Sequence, residues 1–427
     1  MGKATSSVQP LSDQPSIREK IKKLRSLKPV VSDIIDDKGH QYVDLVMEGG
    51  GTLGIALLGY IYTLESIGIR FLSIGGASVG SIMALLLSAG PIDQSRAGWI
   101  EQSIRNKDFW DFIDGDDDAR NFIANEMGRF AGRERSGSNT MDSLRRAWYF
   151  MFIIDNLSKD KKGLNPGVHF HEWLTELLGK RQIHTMADLK RLRSERPDGL
   201  RNRVTGMPIP DEEFNDPLFA ELGITAADIT TETKVILPRH ASLYWQDVNA
   251  VNPVDFVRAS MSIPIFFQPF EVSGLPQDDE TINRWRTKFN YQGALPEKIV
   301  FVDGGIISNF PIDIFHDYSK QPSSPTLGVK IGYDRSRYNN TTGFFDFVGA
   351  IFWSSAHCLD NEFIMRNPDF NQLVSYIDYD RKRFSWLRFS IDEDDKKELF
   401  KNGVDAAYTF LTSFNWEKYK ESRKCIP

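Results

Sequence analysis

Apolar residues along the chain gather into short unbroken runs that end in glycine clusters and lead into longer apolar helices. Tyr42 to Met47 (YVDLVM) is the first such run, closed by Glu48, then Gly49, Gly50 and Gly51, then Thr52, Leu53 and Gly54. Its length and its glycine boundary predict a buried strand. Ile55 to Leu64 follows as an apolar helix in which Gly54 and Gly59 permit close packing. The pattern then repeats, with an apolar strand from Phe71, a Gly76-Ala-Ser-Val-Gly80 turn and an apolar helix to Ala89. Two strand–glycine turn–helix units in succession predict parallel strands with helices covering the sheet. No residue from Phe71 to Ile92 is charged. Its glycines and serines and the strand–turn–helix pattern make this a buried element, and no transmembrane segment is predicted.

The remaining pattern extends the same architecture. Ser16 to Leu27 opens as a capping box with Glu19 and places Ile17, Ile21, Leu24 and Leu27 on one stripe, the rest crowded with Arg18, Lys20, Lys22, Lys23 and Arg25. Such a basic amphipathic helix fits an anionic membrane surface, or else its narrow stripe docks on the domain. Residues 91–165 read as a helical cap carrying the aromatic run Trp148 to Phe152. Gly163–Gly179 leads into a helix, and helices are predicted at Met186–Arg193, Val254–Ser262, Gly343–Cys358 and Lys396–Phe414. Glu212–Asp228 reads as loop and short helix, and Thr230–Leu237 as a hairpin or edge strand. After a polar insertion at 273–298 come the strand Ile299–Val302, Asp303-Gly304-Gly305 and a strand at Thr326–Ile331. Tyr376–Ile391 carries strand-like stretches. With no internal repeat and no long linker, the chain divides into a tail and basic helix (1–40), one α/β domain (41–414) and a charged tail (415–427).

Composition narrows the class. At 427 residues, 26% charged and 41% hydrophobic, the chain is globular, and a net charge of −6 gives no support to nucleic-acid binding. The 29 phenylalanines and nine tryptophans allow a thick core or an apolar groove. Cys358 and Cys425 lie far apart and form neither a disulfide scaffold nor a metal-ligand spacing. The N-terminus has no apolar signal core, so a reducing, cytoplasmic setting is expected, with peripheral contact to membranes. Its first six residues match the short Met-Gly-x-x-x-Ser myristoylation pattern, which needs a eukaryotic transferase. The triple glycine lacks dinucleotide-fold spacing and no phosphate loop is present. His169 and His171 would share a face of an extended segment, but no further ligand follows at suitable spacing and no metal site is predicted.

Ser78 stands at the apex of a strand–turn–helix where Gly76 and Gly80 remove β-carbons that would collide. A serine nucleophile needs a base. Of the histidines after the elbow, His316 and His357 lie in helical stretches rather than behind strand ends. Asp303 instead closes an apolar strand, and Gly304 and Gly305 let the backbone turn so that its carboxylate stays at the rim. In a dry site its raised basicity suits it to deprotonate Ser78 directly. Gly49, Gly50 and Gly51 expose successive amides able to hold an oxyanion. As an isolated residue, Asp303 reads equally well as a turn-forming Asp-Gly.

Glu48-Gly-Gly-Gly-Thr-Leu-Gly54, Gly76-Ala-Ser-Val-Gly80 and Asp303-Gly-Gly305 resemble, in order, the three signatures of the patatin-like phospholipase family. Arg258-Ala-Ser-Met-Ser-Ile-Pro264 and Phe389 to Ala407 extend the resemblance, which spans residues 42–414. It implies a three-layer α/β/α fold with a mostly parallel sheet and a Ser–Asp dyad of Ser78 and Asp303. It implies an oxyanion hole centred on Gly50 and Gly51, and hydrolysis of fatty-acyl esters of phospholipids at a membrane surface without a cofactor. Lysophospholipid or neutral-lipid esters are an alternative, as is a non-catalytic membrane-binding scaffold. The family permits a regulatory ligand or partner protein, for which no motif is legible. Leu53 departs from the Arg or Lys usual at its place, which weakens a phosphate contact more than an esterase role.

Overall fold

The strands of the computed structural model are β1 (Ile34–Ile35), β2 (Gln41–Met47), β3 (Ile69–Ala77), β4 (Gly163–Asn165), β5 (Arg201–Asn202) and β6 (Leu222–Asp228). They continue with β7 (Thr233–Leu237), β8 (Ile265–Phe267), β9 (Phe270–Ser273), β10 (Lys298–Asp303), β11 (Thr326–Ile331) and β12 (Val374–Ile377). The structure describes residues 9–123, 162–216, 219–316, 322–332, 338, 341 and 344–424, positions 382, 385 and 387 excepted. The main sheet runs β12-β11-β2-β3-β6-β10-β9. Strands β12, β11, β2, β3 and β6 are mutually parallel, as the two strand–turn–helix units predict. Strands β7, β9 and β10 pair antiparallel, and so do β1 and β5, which makes the sheet mixed rather than mostly parallel.

One feature of β6 brings the segments of Ser78 and Asp303 together. Its residues Ile224–Asp228 pair with β7, forming the hairpin expected near Thr230–Leu237. Its Leu222–Thr225 pair with β3 and its Ala226–Asp228 pair with β10. A strand has only two edges, so β3 and β10 share the edge that β7 leaves open and meet end to end there. β3 finishes at Ala77 opposite Thr225, and β10 arrives from the other direction to finish at Asp303 opposite Ala226. The residues just past both ends therefore face each other. The loop and short helix expected over Glu212–Asp228 hold only for Asp211–Phe214; the remainder contributes this fully buried strand.

Helices α1 (Pro15–Leu27), α2 (Gly54–Ser66) and α3 (Val79–Ser88) follow the predicted boundaries closely. Helix α2 crosses the long helix Glu393–Ser413 at two glycines. A β-carbon on Gly59 would lie 1.9 Å from Phe400 O, and one on Gly403 would lie 1.8 Å from Ala56 O. Helix α1 docks through Ile17, Ile21 and Leu24, all buried, so its stripe serves the core. The tail before it is fixed too, with Leu11 buried and its amide donating to Glu101.

Two stretches read as polar hold helices, and one predicted helix runs further than expected. The insertion contains a helix, Asp279–Phe289, capped by the Asp278 side chain and anchored by the fully buried Trp285. The charged tail forms Trp416–Lys424, with Trp416 and Tyr419 buried. The aromatic helix runs to Arg366 rather than Cys358. Of the predicted cap, helices Ala97–Arg105 and Asp117–Phe122 are described; the Trp148–Phe152 run, the myristoylation pattern and Cys425 lie outside the described residues. No helix among the described residues is long and apolar enough to cross a membrane.

Candidate functional site

Ser78 follows β3 directly and is the N-cap of α3, held at φ 51° and ψ −123°. A non-glycine residue in this region is strained, and such strain persists only where the surroundings over-determine it. Here they do. A β-carbon on Gly76 would lie 2.5 Å from Met47 O, and one on Gly80 would lie 2.2 Å from the same oxygen. The end of β2 therefore presses on the turn from both sides of the serine. The Ser78 amide donates to Ser260 Oγ at 3.0 Å, and Ser260 Oγ donates to Thr225 O at 2.7 Å.

Asp303 is 2% exposed, and its Oδ1 accepts the Gly305 amide at 2.7 Å. Its own amide donates to Ser262 O at 2.9 Å, and Arg258 Nη1 donates to Ser262 Oγ at 2.6 Å. The Ala-Ser-x-x-x-Pro segment thus supports both residues, Ser260 beneath Ser78 and Ser262 beneath Asp303. Burial pushes the Asp303 carboxyl up to about 7, against the opposing pull of the Ser78 hydroxyl and the Gly305 amide. Oδ2 has no other hydrogen-bond partner among the described residues. The carboxylate comes from an antiparallel strand, not from the shared rim of a parallel sheet as its sequence position implies.

The glycine loop is partly occupied. The Gly49 amide donates to Asn309 O at 3.0 Å and the Thr52 amide to Trp386 O at 3.0 Å, so Gly49 has no hydrogen left for an oxyanion. The amides of Gly50 and Gly51 have no partner among the described residues. Gly51 takes φ +54°, and a β-carbon there would lie 2.0 Å from Trp386 O, so only glycine fits beneath that carbonyl. Leu53 is 2% exposed and turned into the core.

Ser78, Gly51 and Gly54 open on an apolar pocket of about 80 Å³, walled by residues including Val79, Ile82, Met83, Phe112, Trp173 and Phe389. No described residue lining it is charged. No histidine lines it or is a described partner of Ser78 or Asp303. His316 lies edge-on to Phe363 and Phe370, and His357 stacks on Trp353. His169 and His171 sit in the first turn of helix Val168–Gly179, roughly 200° apart around its axis rather than on one face. His169 Nδ1 lies 3.0 Å from Asp111 O, and His171 Nε2 lies 2.7 Å from Asp255 Oδ1. Asn309, on the loop after Asp303, and Asp360, which braces that loop from the helix Phe344–Arg366, have no motif of their own. Their one local signal is that Ser308 and Asn309 are the only polar residues between Gly305 and Ile312.

Residues 45–316 match the family model described as patatin-like phospholipase. An uncharacterized protein of Bacillus subtilis, YqhO, is 26% identical over 316 residues, covering 73% of this chain and 79% of that protein. Among solved structures, VipD from Legionella pneumophila overlays 92% of the chain and 73% of its own at 15% identity with a TM-score of 0.39. The ExoU–SpcU complex from the type III secretion system of Pseudomonas aeruginosa overlays 89% at 15% identity and a TM-score of 0.34, with this chain spanning 52% of that one. With the family model covering most of its length, the chain belongs to the patatin-like phospholipase family, a family of lipid hydrolases.

Proposed function

We propose that the protein is a serine acyl hydrolase that cleaves fatty-acyl esters of lipids with a Ser78–Asp303 dyad. The observation that carries this reading is the juxtaposition of a strained, pocket-facing serine with a buried carboxylate whose pKa is raised to about 7. Ser78 Oγ attacks the ester carbonyl carbon while its proton passes to Asp303. The oxyanion that forms is held by the Gly50 and Gly51 amides. Collapse breaks the ester C–O bond, and Asp303 returns the proton to the departing alcohol, leaving acyl-Ser78. Water then adds to the acyl carbonyl, its proton taken by Asp303. Departure of Ser78 Oγ, which recovers that proton, frees the fatty acid.

The apolar pocket suits the acyl chain. Because no described lining residue is charged and Leu53 is buried, esters without a phosphate beside the scissile bond are the second reading, as neutral lipids or lysophospholipids. Mass spectrometry of products from a mixed lipid extract, with Ser78→Ala alongside, tests both. Free fatty acid formed by wild type and absent with Ser78→Ala supports the hydrolase, and the co-product identifies the head group. A fluorophosphonate probe should label wild type and leave Ser78→Ala unlabelled; labelling that survives the substitution defeats the assignment.

A further inference from the structure

The Gly49 carbonyl and the Gly50 amide belong to one planar trans peptide, so fixing one fixes the direction of the other. Glycine stands on both sides of that peptide, and without β-carbons it rotates between orientations at little steric cost. Left to itself, the unit would be a poor donor to an oxyanion, because a preorganised hole loses its advantage when its dipole has to reorient.

The neighbouring loop removes that freedom. Asn309 Nδ2 donates to Gly49 O at 3.2 Å, and the Asn309 carbonyl accepts the Gly49 amide at 3.0 Å. This double clasp grips the carbonyl end of the Gly49–Gly50 peptide. The amide orientation of Asn309 is fixed by chemistry, since a carbonyl oxygen accepts only from the nitrogen side. Its backbone is held in turn. The buried Asp360 accepts the Ser308 hydroxyl at 2.6 Å with Oδ1 and the Phe310 amide at 2.6 Å with Oδ2. One carboxylate from the helix Phe344–Arg366 thus pins the residues on both sides of Asn309. The same loop begins at Asp303, so the base and the glycine loop are coupled through a single buried side chain.

We propose that Asn309 is a positioning residue that locks the Gly49–Gly50 peptide so that the Gly50 amide is preset for the oxyanion. The inference rests on Gly50 being an oxyanion donor in the proposed hydrolase. Asn309 touches no substrate. Its loss acts on the transition state and leaves ground-state binding in the apolar pocket unchanged.

The test uses the full chain, a soluble short-chain aryl ester, and an alkyl trifluoromethyl ketone that adds to a serine hydroxyl and presents an oxyanion. Asn309→Ala removes the clasp. Asn309→Asp keeps size and one acceptor but loses the donor. Both should lower kcat by about 10- to 100-fold with KM within about twofold, and weaken the ketone by the same factor as kcat. Circular dichroism and thermal melting report the folded fraction, and Asn309→Asp decides if Asn309→Ala does not fold. An unchanged kcat overturns the inference, as does a matching rise in KM, ketone affinity that does not follow kcat, or loss of folded protein in both variants. Ser78→Ala in the same series separates this outcome from failure of the hydrolase reading: an active Ser78→Ala removes the underlying function, whereas an inactive one beside unaffected Asn309 variants removes only the positioning role.

Discussion

Ser78 and Asp303 are both held in states the unfolded chain does not favour, one by backbone strain and one by burial. For Asp303 the consequence has opposite signs in rate and stability. As the proposed base it works when ionised, so the rate should rise with pH through about 7, the value to which burial pushes its carboxyl. Its ordinary value is 3.8, so between 3.8 and about 7 the folded state holds a proton that the unfolded state releases. The contribution to stability is full below that window and is lost as pH rises through it. Asp303→Asn keeps the shape and the acceptor for the Gly305 amide but cannot ionise. It should lower ester hydrolysis by about 10²- to 10⁴-fold and, at pH 8, melt above wild type. His316→Ala and His357→Ala should retain wild-type rate per folded molecule, since neither ring is a partner of the dyad. A wild-type rate for Asp303→Asn beside a dead histidine variant would place the base elsewhere.

At the scale of elements, the glycine crossing of α2 and the helix Glu393–Ser413 decides how closely a layer can sit on the sheet. Alanine in place of glycine inside a helix ordinarily gains about 1 kcal/mol. At Gly403 the added carbon would lie 1.8 Å from the Ala56 carbonyl and 2.8 Å from the Tyr60 nitrogen, both of them backbone. Neither can give way without moving α2, so overpacking outweighs propensity. Gly403→Ala should destabilise by roughly 1–3 kcal/mol, measured by denaturant titration. A more stable variant would mean the helices separate freely. The sequence carried α2, α3, β2, β3 and β10 plainly, because each is an apolar run closed by glycine or a cap. It hid β6, whose Gly223, Ala226 and Ala227 are poor strand formers, and at Gly223 a β-carbon would lie 2.6 Å from Ile314 Cδ1. Without β6 the end-to-end meeting of β3 and β10 is invisible, so the two candidate segments were legible while the reason they meet was not. Asn309 and Asp360 were hidden for a related cause: their partners lie 260 and about 50 positions away in sequence.

At the scale of the molecule, the two ends of the chain close against each other. Helix α1 lies against the helix Glu393–Ser413, with Lys20 paired to Asp405 and Gln14 Nε2 donating to Lys397 O at 3.2 Å. Two further cations of the helix are engaged nearby, Arg18 with Asp13 at 2.8 Å and Lys23 with Glu19 at 2.7 Å. These pairs sit at the surface, where solvent screens them, so they neutralise charge more than they hold the helix. The holding falls to the apolar stripe, in which Leu24 has no exposed surface. Two substitutions on one helix therefore separate a docking role from a membrane role. Leu24→Ala should cost about 2–4 kcal/mol, seen as a lower denaturation midpoint. Lys22→Ala, on the exposed face, should leave that midpoint within about 0.5 kcal/mol and leave flotation with anionic vesicles unchanged. A flotation loss with Lys22→Ala at unchanged stability would return the helix to the membrane surface. An unchanged midpoint with Leu24→Ala would show that the chain ends do not stabilise each other.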